Sequence, residues 1–411
     1  MKFIALLITT LLAINVMVAQ ASSLAEKQVL GAYLTRAGNC MGCHTAKGGE
    51  PFAGGRQLST SFGVFVTPNI TPDNKTGLGH WNADDFWQAI HQGKSRDGRL
   101  LYPAFPYTEY TKVTRHDADA IFAYLQTLPP VLQVNAPSKI HFPYNFKPLL
   151  YAWRAMYFKK GSYVPDGSQS NEWNRGAYLV QGLGHCNACH TTRNLLGASE
   201  EDALNGGKIM GVNWYAPSLS SHLETGGGDW TLEEYTELLS TGISERAVAS
   251  GPMATIVGQS LQYLSPEDIR AMAVYLKSLT EGEADAPLSA YAPVIPEKMQ
   301  HRLDQGGKLY ESYCKTCHGE SGEGVPGIYP PLAGNRSVVM DSPVNTIRSV
   351  LYGGYPATTA GNPRPYGMPP FQQIFRDDDV ARVVSYIRNA WGNRSGEVTA
   401  IDVDRSRGGD H

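Results

Sequence analysis

The chain has 411 residues, 42% of them hydrophobic and 18% charged, which is ordinary globular composition and excludes a disordered or collagen-like protein. A formal charge of −3 excludes a generally basic surface, so no nucleic-acid partner is expected. With 43 glycines and 26 prolines the chain should form compact units joined by turn-rich loops, two to four of them at roughly 150 residues each.

Residues 1–21 read as a cleavable export signal. Lys2 gives a positive start, Phe3 to Val18 is almost wholly apolar, and Ala19-Gln20-Ala21 offers a small-residue cleavage site. The apolar run is short for a membrane span, and no other segment is long and apolar enough to cross a bilayer. Loss of Lys2 leaves 34 basic and 38 acidic residues, net −4. The processed chain is expected in the periplasm, held at the membrane only through partners.

All six cysteines fall in one pattern: Cys40-Met41-Gly42-Cys43-His44, Cys186-Asn187-Ala188-Cys189-His190 and Cys314-Lys315-Thr316-Cys317-His318. C-x-x-C-H is the attachment signature of c-type haem. Two cysteines three apart present both sulfurs to the two vinyl groups of one porphyrin, and the adjacent histidine reaches the iron from the proximal side. Disulfides, a redox dithiol or zinc would each explain paired cysteines. None explains a histidine after every second cysteine with no cysteine left over. The pattern predicts three covalent haems, with Cys40, Cys43, Cys186, Cys189, Cys314 and Cys317 as attachments and His44, His190 and His318 as iron ligands.

Around these motifs the sequence repeats. Gly31-Ala32-Tyr33-Leu34 and Gly176-Ala177-Tyr178-Leu179 read as the ends of helices leading into the first two. A long Gly/Pro-rich loop follows each motif and carries Thr67-Pro68-Asn69-Ile70, Ala216-Pro217-Ser218-Leu219 and Tyr329-Pro330-Pro331-Leu332 in turn. Each unit closes with an amphipathic helix that starts near Asp117, Asp268 or Asp379 and carries Tyr124, Tyr275 or Tyr386 seven residues on. Thr114-x-x-Asp117 and Ser265-x-x-Asp268 resemble capping boxes. The expected domains are 22–135, 173–283 and 300–395. Residues 136–172 and 284–299 are expected to be linkers, and 396–411 a mobile polar tail.

A haem that only passes electrons has both axial positions filled. Met253 in Gly251-Pro252-Met253 and Met368 in Gly367-Met368-Pro369 stand at matching positions about 20 residues before the closing tyrosine. They are the expected sixth ligands of the second and third haems; Met272 and Met340 do not match and read as core. Alignment of Gly93 with Gly242 places Phe105 opposite Met253, and phenylalanine cannot ligate iron. The first haem is therefore five-coordinate or takes a ligand from elsewhere. His80, His91, His116 and Met156 are the candidates, and the sixth ligand is left unassigned.

The sequence resembles the triheme cytochrome c subunits of bacterial membrane-bound dehydrogenases for alcohol and gluconate, and the cytochrome partners of molybdenum hydroxylases such as aldehyde or isoquinoline oxidoreductases. The resemblance rests on Leu183-Gly184-His185-Cys186-x-x-Cys189-His190-Thr191, Trp214-Tyr215-Ala216-Pro217, Gly251-Pro252-Met253-Ala254, Leu101-Tyr102-Pro103-Ala104-x-Pro106-Tyr107 and Tyr386-Ile387-Arg388-Asn389-x-Trp391-Gly392-Asn393. It implies an all-α chain of three tandem cytochrome c domains, each around one covalent haem c. It also implies a separate molybdopterin, flavin or quinoprotein catalytic subunit as electron donor, and ubiquinone or another cytochrome as acceptor. On that view this chain has no catalytic residues of its own. Phe105 in place of methionine looks more like the molybdenum-hydroxylase branch. A free-standing or oxidase-associated cytochrome, or a peroxidase or gas-binding protein using the first haem, are the alternatives.

Overall fold

The computed structural model describes residues 23–199, 203–221, 224, 230–280 and 297–408. The expected export signal lies outside them, as does nearly all of the second expected linker. The described chain is mostly helical. It differs from the all-α expectation by a three-stranded sheet in the order β1 (Gln57–Thr60), β2 (Gly63–Val66), β3 (Lys139–Ile140), and by an antiparallel pair, β4 (Gly207–Ile209) with β5 (Trp214–Ala216). β1, β2, β4 and β5 lie in the loops after the first two cysteine motifs, where extended chain must return toward the histidine, and β3 lies beyond the first closing helix.

One helix pair is built three times. A leading helix (residues 23–37, Asn171–Tyr178, Glu297–Tyr313) crosses a closing helix (Arg115–Leu125, Pro266–Ser278, Asp377–Ile387). The crossing is made by a glycine. A Cβ on Gly31 would lie 1.9 Å from the Ala120 carbonyl oxygen; on Gly176, 1.9 Å from that of Ala271; on Gly306, 2.2 Å from that of Arg382. The next neighbours are the Cβ atoms of Tyr124, Tyr275 and Tyr386. Without a side chain on the glycine the backbones approach closely enough for the tyrosine to pack across the contact. Thr114 and Ser265 cap the first two closing helices, their hydroxyls accepting from the Asp117 and Asp268 backbone N–H at 3.2 Å each. Asp268 also takes a bidentate pair from Arg175 of its leading helix at 2.8 and 2.7 Å.

The chain forms two compact units, one comprising residues up to 58 with 64–164, the other 59–63 with 165–411. In the first, the expected linker from 136 is part of the fold. Its helix Lys147–Tyr157 buries Leu150 and sends Arg154 across the rings of Tyr107 and Phe158 to the Gln92 carbonyl at 2.7 Å. In the second, the expected domains 173–283 and 300–395 form one body. Tyr215 and Asn345 exchange two hydrogen bonds (2.9 and 2.7 Å), and Thr359 donates to the Thr241 carbonyl at 3.1 Å. The tail expected to be mobile is instead a helix, Ala400–Ser406, capped by Thr399 and Asp402. It is held because Val398 and Val403 are fully buried and Arg348 donates to the carbonyls of Ser406 and Gly408, both at 2.8 Å. Its polar composition hid two apolar anchors, and the arginine that holds it lies outside it.

Candidate haem-binding sites

The first cysteine pair folds as a single helical turn, Cys40–Cys43, entered through Asn39 in the left-handed region. The second follows a π-turn at Leu179–Leu183 and enters through His185, also left-handed. The third leaves the long leading helix at Tyr313. From the crossing glycine to the first cysteine is nine, ten and eight residues respectively. The π-turn takes up the extra residue of the second site.

Every motif histidine is oriented the same way. Nδ1 of His44 bonds the Pro68 carbonyl at 2.8 Å, that of His190 bonds Pro217 at 2.7 Å, and that of His318 bonds Pro330 at 3.1 Å. A carbonyl only accepts, so Nδ1–H donates, and the Nε2 lone pair is left for a metal. Burial lowers the pKa of all three rings against the opposing pull of the carbonyl. The neutral form, which ligates iron, is therefore favoured. The repeated loop motifs of the sequence are thus the hydrogen-bond seats of the histidines. The Tyr386-to-Asn393 motif supports the third seat: Asn393 donates to the Leu332 carbonyl at 2.9 Å and accepts from the Gly334 N–H at 2.9 Å, just beyond Pro330.

None of the six cysteines is in a disulfide. Burial, reinforced by the partner cysteine, pushes Cys40 and Cys186 up to about 12 and Cys314 up to about 11. No group of three or more His, Cys, Asp or Glu placed to hold a metal ion occurs among the described residues. An arginine braces the first two motifs: Arg56 donates to the Gly42 carbonyl, and Arg193 to the Ala188 carbonyl at 2.8 Å, each the residue before the second cysteine. Cysteine pairs, each followed by a half-buried imidazole whose Nδ1 is committed to a carbonyl, fit a covalent c-type haem.

The helices Ala83–Gln92 and Leu232–Thr241 end at Gly93 and Gly242, and each glycine carbonyl accepts from a later backbone N–H, Leu101 or Ala249, at 2.8 Å. Phe105 and Met253 each lie four residues beyond that bond, so they occupy equivalent stations. Met253 is the third residue of the helix Gly251–Gln259, whose first residue has φ +52° and lies against the Trp214 ring. Met368 is fixed differently, by a two-way backbone pairing with Gly354 at 3.0 and 2.8 Å. Both methionines are half-buried, whereas Met272 and Met340 are 2% exposed and belong to the core.

At the first site the Phe105 ring packs on Tyr110, 5.4 Å between centroids. Tyr110 donates to the Gly38 carbonyl at 3.0 Å, and burial, with Cys40 and Cys43 nearby, holds its phenol well above the ordinary range. An aromatic pair thus stands beside the first attachment site. Of the four candidate sixth ligands, His80, His116 and Met156 are exposed, and His91 is buried in a stack on Trp87 at 4.1 Å.

The sequence profile of the family described as Cytochrome c matches residues 28–129, 174–280 and 303–391. A nicotinate dehydrogenase component from Pseudomonas putida is 41% identical over 87% of this chain, and the chain spans 30% of that protein's length. The cytochrome c subunit of the quinone alcohol dehydrogenase of Gluconobacter oxydans is 35% identical over 92% of this chain and 81% of its own. The gluconate 2-dehydrogenase cytochrome c subunit of Pantoea cypripedii is 36% identical over 91% of this chain and 88% of its own. The three matched segments enclose the three sites with their glycine-crossed helix pairs and proline-seated histidines, and the chain belongs to the cytochrome c family, among the cytochrome c subunits of bacterial dehydrogenases.

Proposed function

We propose that this chain carries three covalent c-type haems and relays electrons, one at a time, from a dehydrogenase catalytic subunit to ubiquinone or another cytochrome in the periplasm. The observation that carries the reading is the threefold occurrence of a cysteine pair, an adjacent histidine and a proline carbonyl fixing its Nδ1. Bound haem supplies reversible one-electron chemistry. The polypeptide supplies the rest. Cys40 with Cys43, Cys186 with Cys189 and Cys314 with Cys317 anchor the groups. His44, His190 and His318 ligate the irons from fixed orientations.

Met253 and Met368 close the second and third irons with thioethers, a pairing that raises potential relative to other ligand sets. Phe105 leaves the first iron without that ligand. Axial ligation moves haem potentials over about 0.8 V, and an offset of about 100 mV corresponds to about 2.3 kcal/mol per electron. The single substitution at position 105 therefore sets the slope of the relay.

For the donor, the catalytic subunit oxidises an alcohol, aldehyde, aldose acid or N-heterocycle. Phe105 and the likeness to a component of a nicotinate dehydrogenase, an enzyme named for an N-heterocycle, favour the last. Purification of the complex from its host, followed by potentiometric titration, tests the reading. It predicts three one-electron steps and rapid reduction only when the catalytic subunit and its substrate are present. A lone chain that no co-purifying dehydrogenase reduces would contradict it.

A further inference from the structure

The helix Lys147–Tyr157 is built with its apolar face outward. Leu150, Trp153 and Arg154 turn inward, and Arg154 spends the charge in the helix interior on the Tyr107 and Phe158 rings and the Gln92 carbonyl. What faces out is Leu149, Tyr151, Ala152, Ala155 and Met156, with Tyr151 and Met156 both 61% exposed. An ordinary surface helix carries its charges there. The turn entering the helix adds Phe142, 84% exposed, and Phe146, 57% exposed. That turn is tied to the body by the Tyr102 hydroxyl donating to the Tyr144 carbonyl at 3.0 Å, so the rings are displayed from a fixed frame.

Charge along this segment is one-sided. Between Asp119 and Asp166 the chain has no acidic residue, and Lys139, Lys147, Lys159 and Lys160 are all exposed. We propose that this face seats on an anionic lipid bilayer, with the phenylalanine, tyrosine, leucine and methionine side chains at the headgroup–acyl boundary and the lysines on lipid phosphates. Aromatic and aliphatic side chains ringed by lysine, whose stems can lie along apolar surface while the ammonium reaches outward, are the composition of an interfacial membrane helix. A protein-docking surface fits less well, because lysine is depleted at such interfaces. A second copy of this chain fits worse, because a twofold contact would press like charges together.

The test uses the full-length, haem-loaded chain, sedimented with phosphatidylcholine vesicles with and without one-third phosphatidylglycerol, at low and high salt. Binding to the anionic vesicles is expected, weakened by salt. Lys147→Glu with Lys160→Glu should cut that binding by about tenfold or more and leave binding to neutral vesicles unchanged. Tyr151→Asp with Met156→Asp should weaken binding to both vesicle types. Haem absorption and thermal unfolding report that the variants are folded, and the lysine pair, being exposed, tests the proposal even if the aspartate pair destabilises the chain. Absence of vesicle binding, or equal binding by both variants, would overturn the proposal. So would loss of self-association or of dehydrogenase binding in the variants with vesicle binding intact. None of these outcomes bears on the haem relay.

Discussion

The first and second haem sites share a backbone plan and differ at one station. Both have a glycine-ended helix, a backbone bond seven or eight residues later, and a side chain four residues beyond it. In the second site that side chain is Met253, on a helix whose first residue is forced to φ +52° against Trp214. In the first it is Phe105, packed on Tyr110 next to the cysteines. One scaffold thus presents a thioether or an aromatic ring at the same station with no change of backbone plan. On the proposed reading function is set at such stations, while the scaffold supplies geometry.

The comparison breaks most severely at the proximal side. Cys186→Ala with Cys189→Ala should abolish covalent attachment of the second haem and lower the intact mass by one haem, because both thioether links are lost. Haem stoichiometry from absorbance and mass checks it. Next, Met253→Leu should remove one low-spin His/Met signal and lower one midpoint by roughly 100 mV or more. Phe105→Met should do the reverse at the first site, adding such a signal and raising that midpoint. If both changes leave spectrum and potentials unaltered, the stations are not ligand stations.

Smaller effects sharpen the shared scaffold. Gly176→Ala forces a methyl to within 1.9 Å of the Ala271 carbonyl oxygen and should destabilise the second unit by about 1–3 kcal/mol by thermal unfolding. Asp268→Asn, which weakens the bidentate pair with Arg175, should cost about 1–2 kcal/mol with the haem potentials unmoved.

The sequence carries its signal unevenly. The C-x-x-C-H motifs, the loop repeats and the closing helices are legible because each rests on local spacing. That the loop prolines present carbonyls to Nδ1 is not legible, since it depends on how β4 and β5 return the chain to His190. The third crossing glycine is easily overlooked, although Gly306-Gly307 stands eight residues before Cys314, where the other two point. The helix Ala400–Ser406 reads as a loose tail because its anchoring comes from Arg348, more than fifty residues away. The linker from 136 hides its packing similarly, since Arg154 reaches partners in two separate earlier segments. Long-range contacts such as those of Arg348 and Arg154 are the part that local periodicity does not encode.

The most direct measurement is the intact mass of the processed protein isolated from its host, together with its haem content after denaturation in acid acetone. The account predicts three haems that stay with the polypeptide under extraction. A polypeptide left colourless, or a mass short of three haems beyond the bare chain, would contradict it.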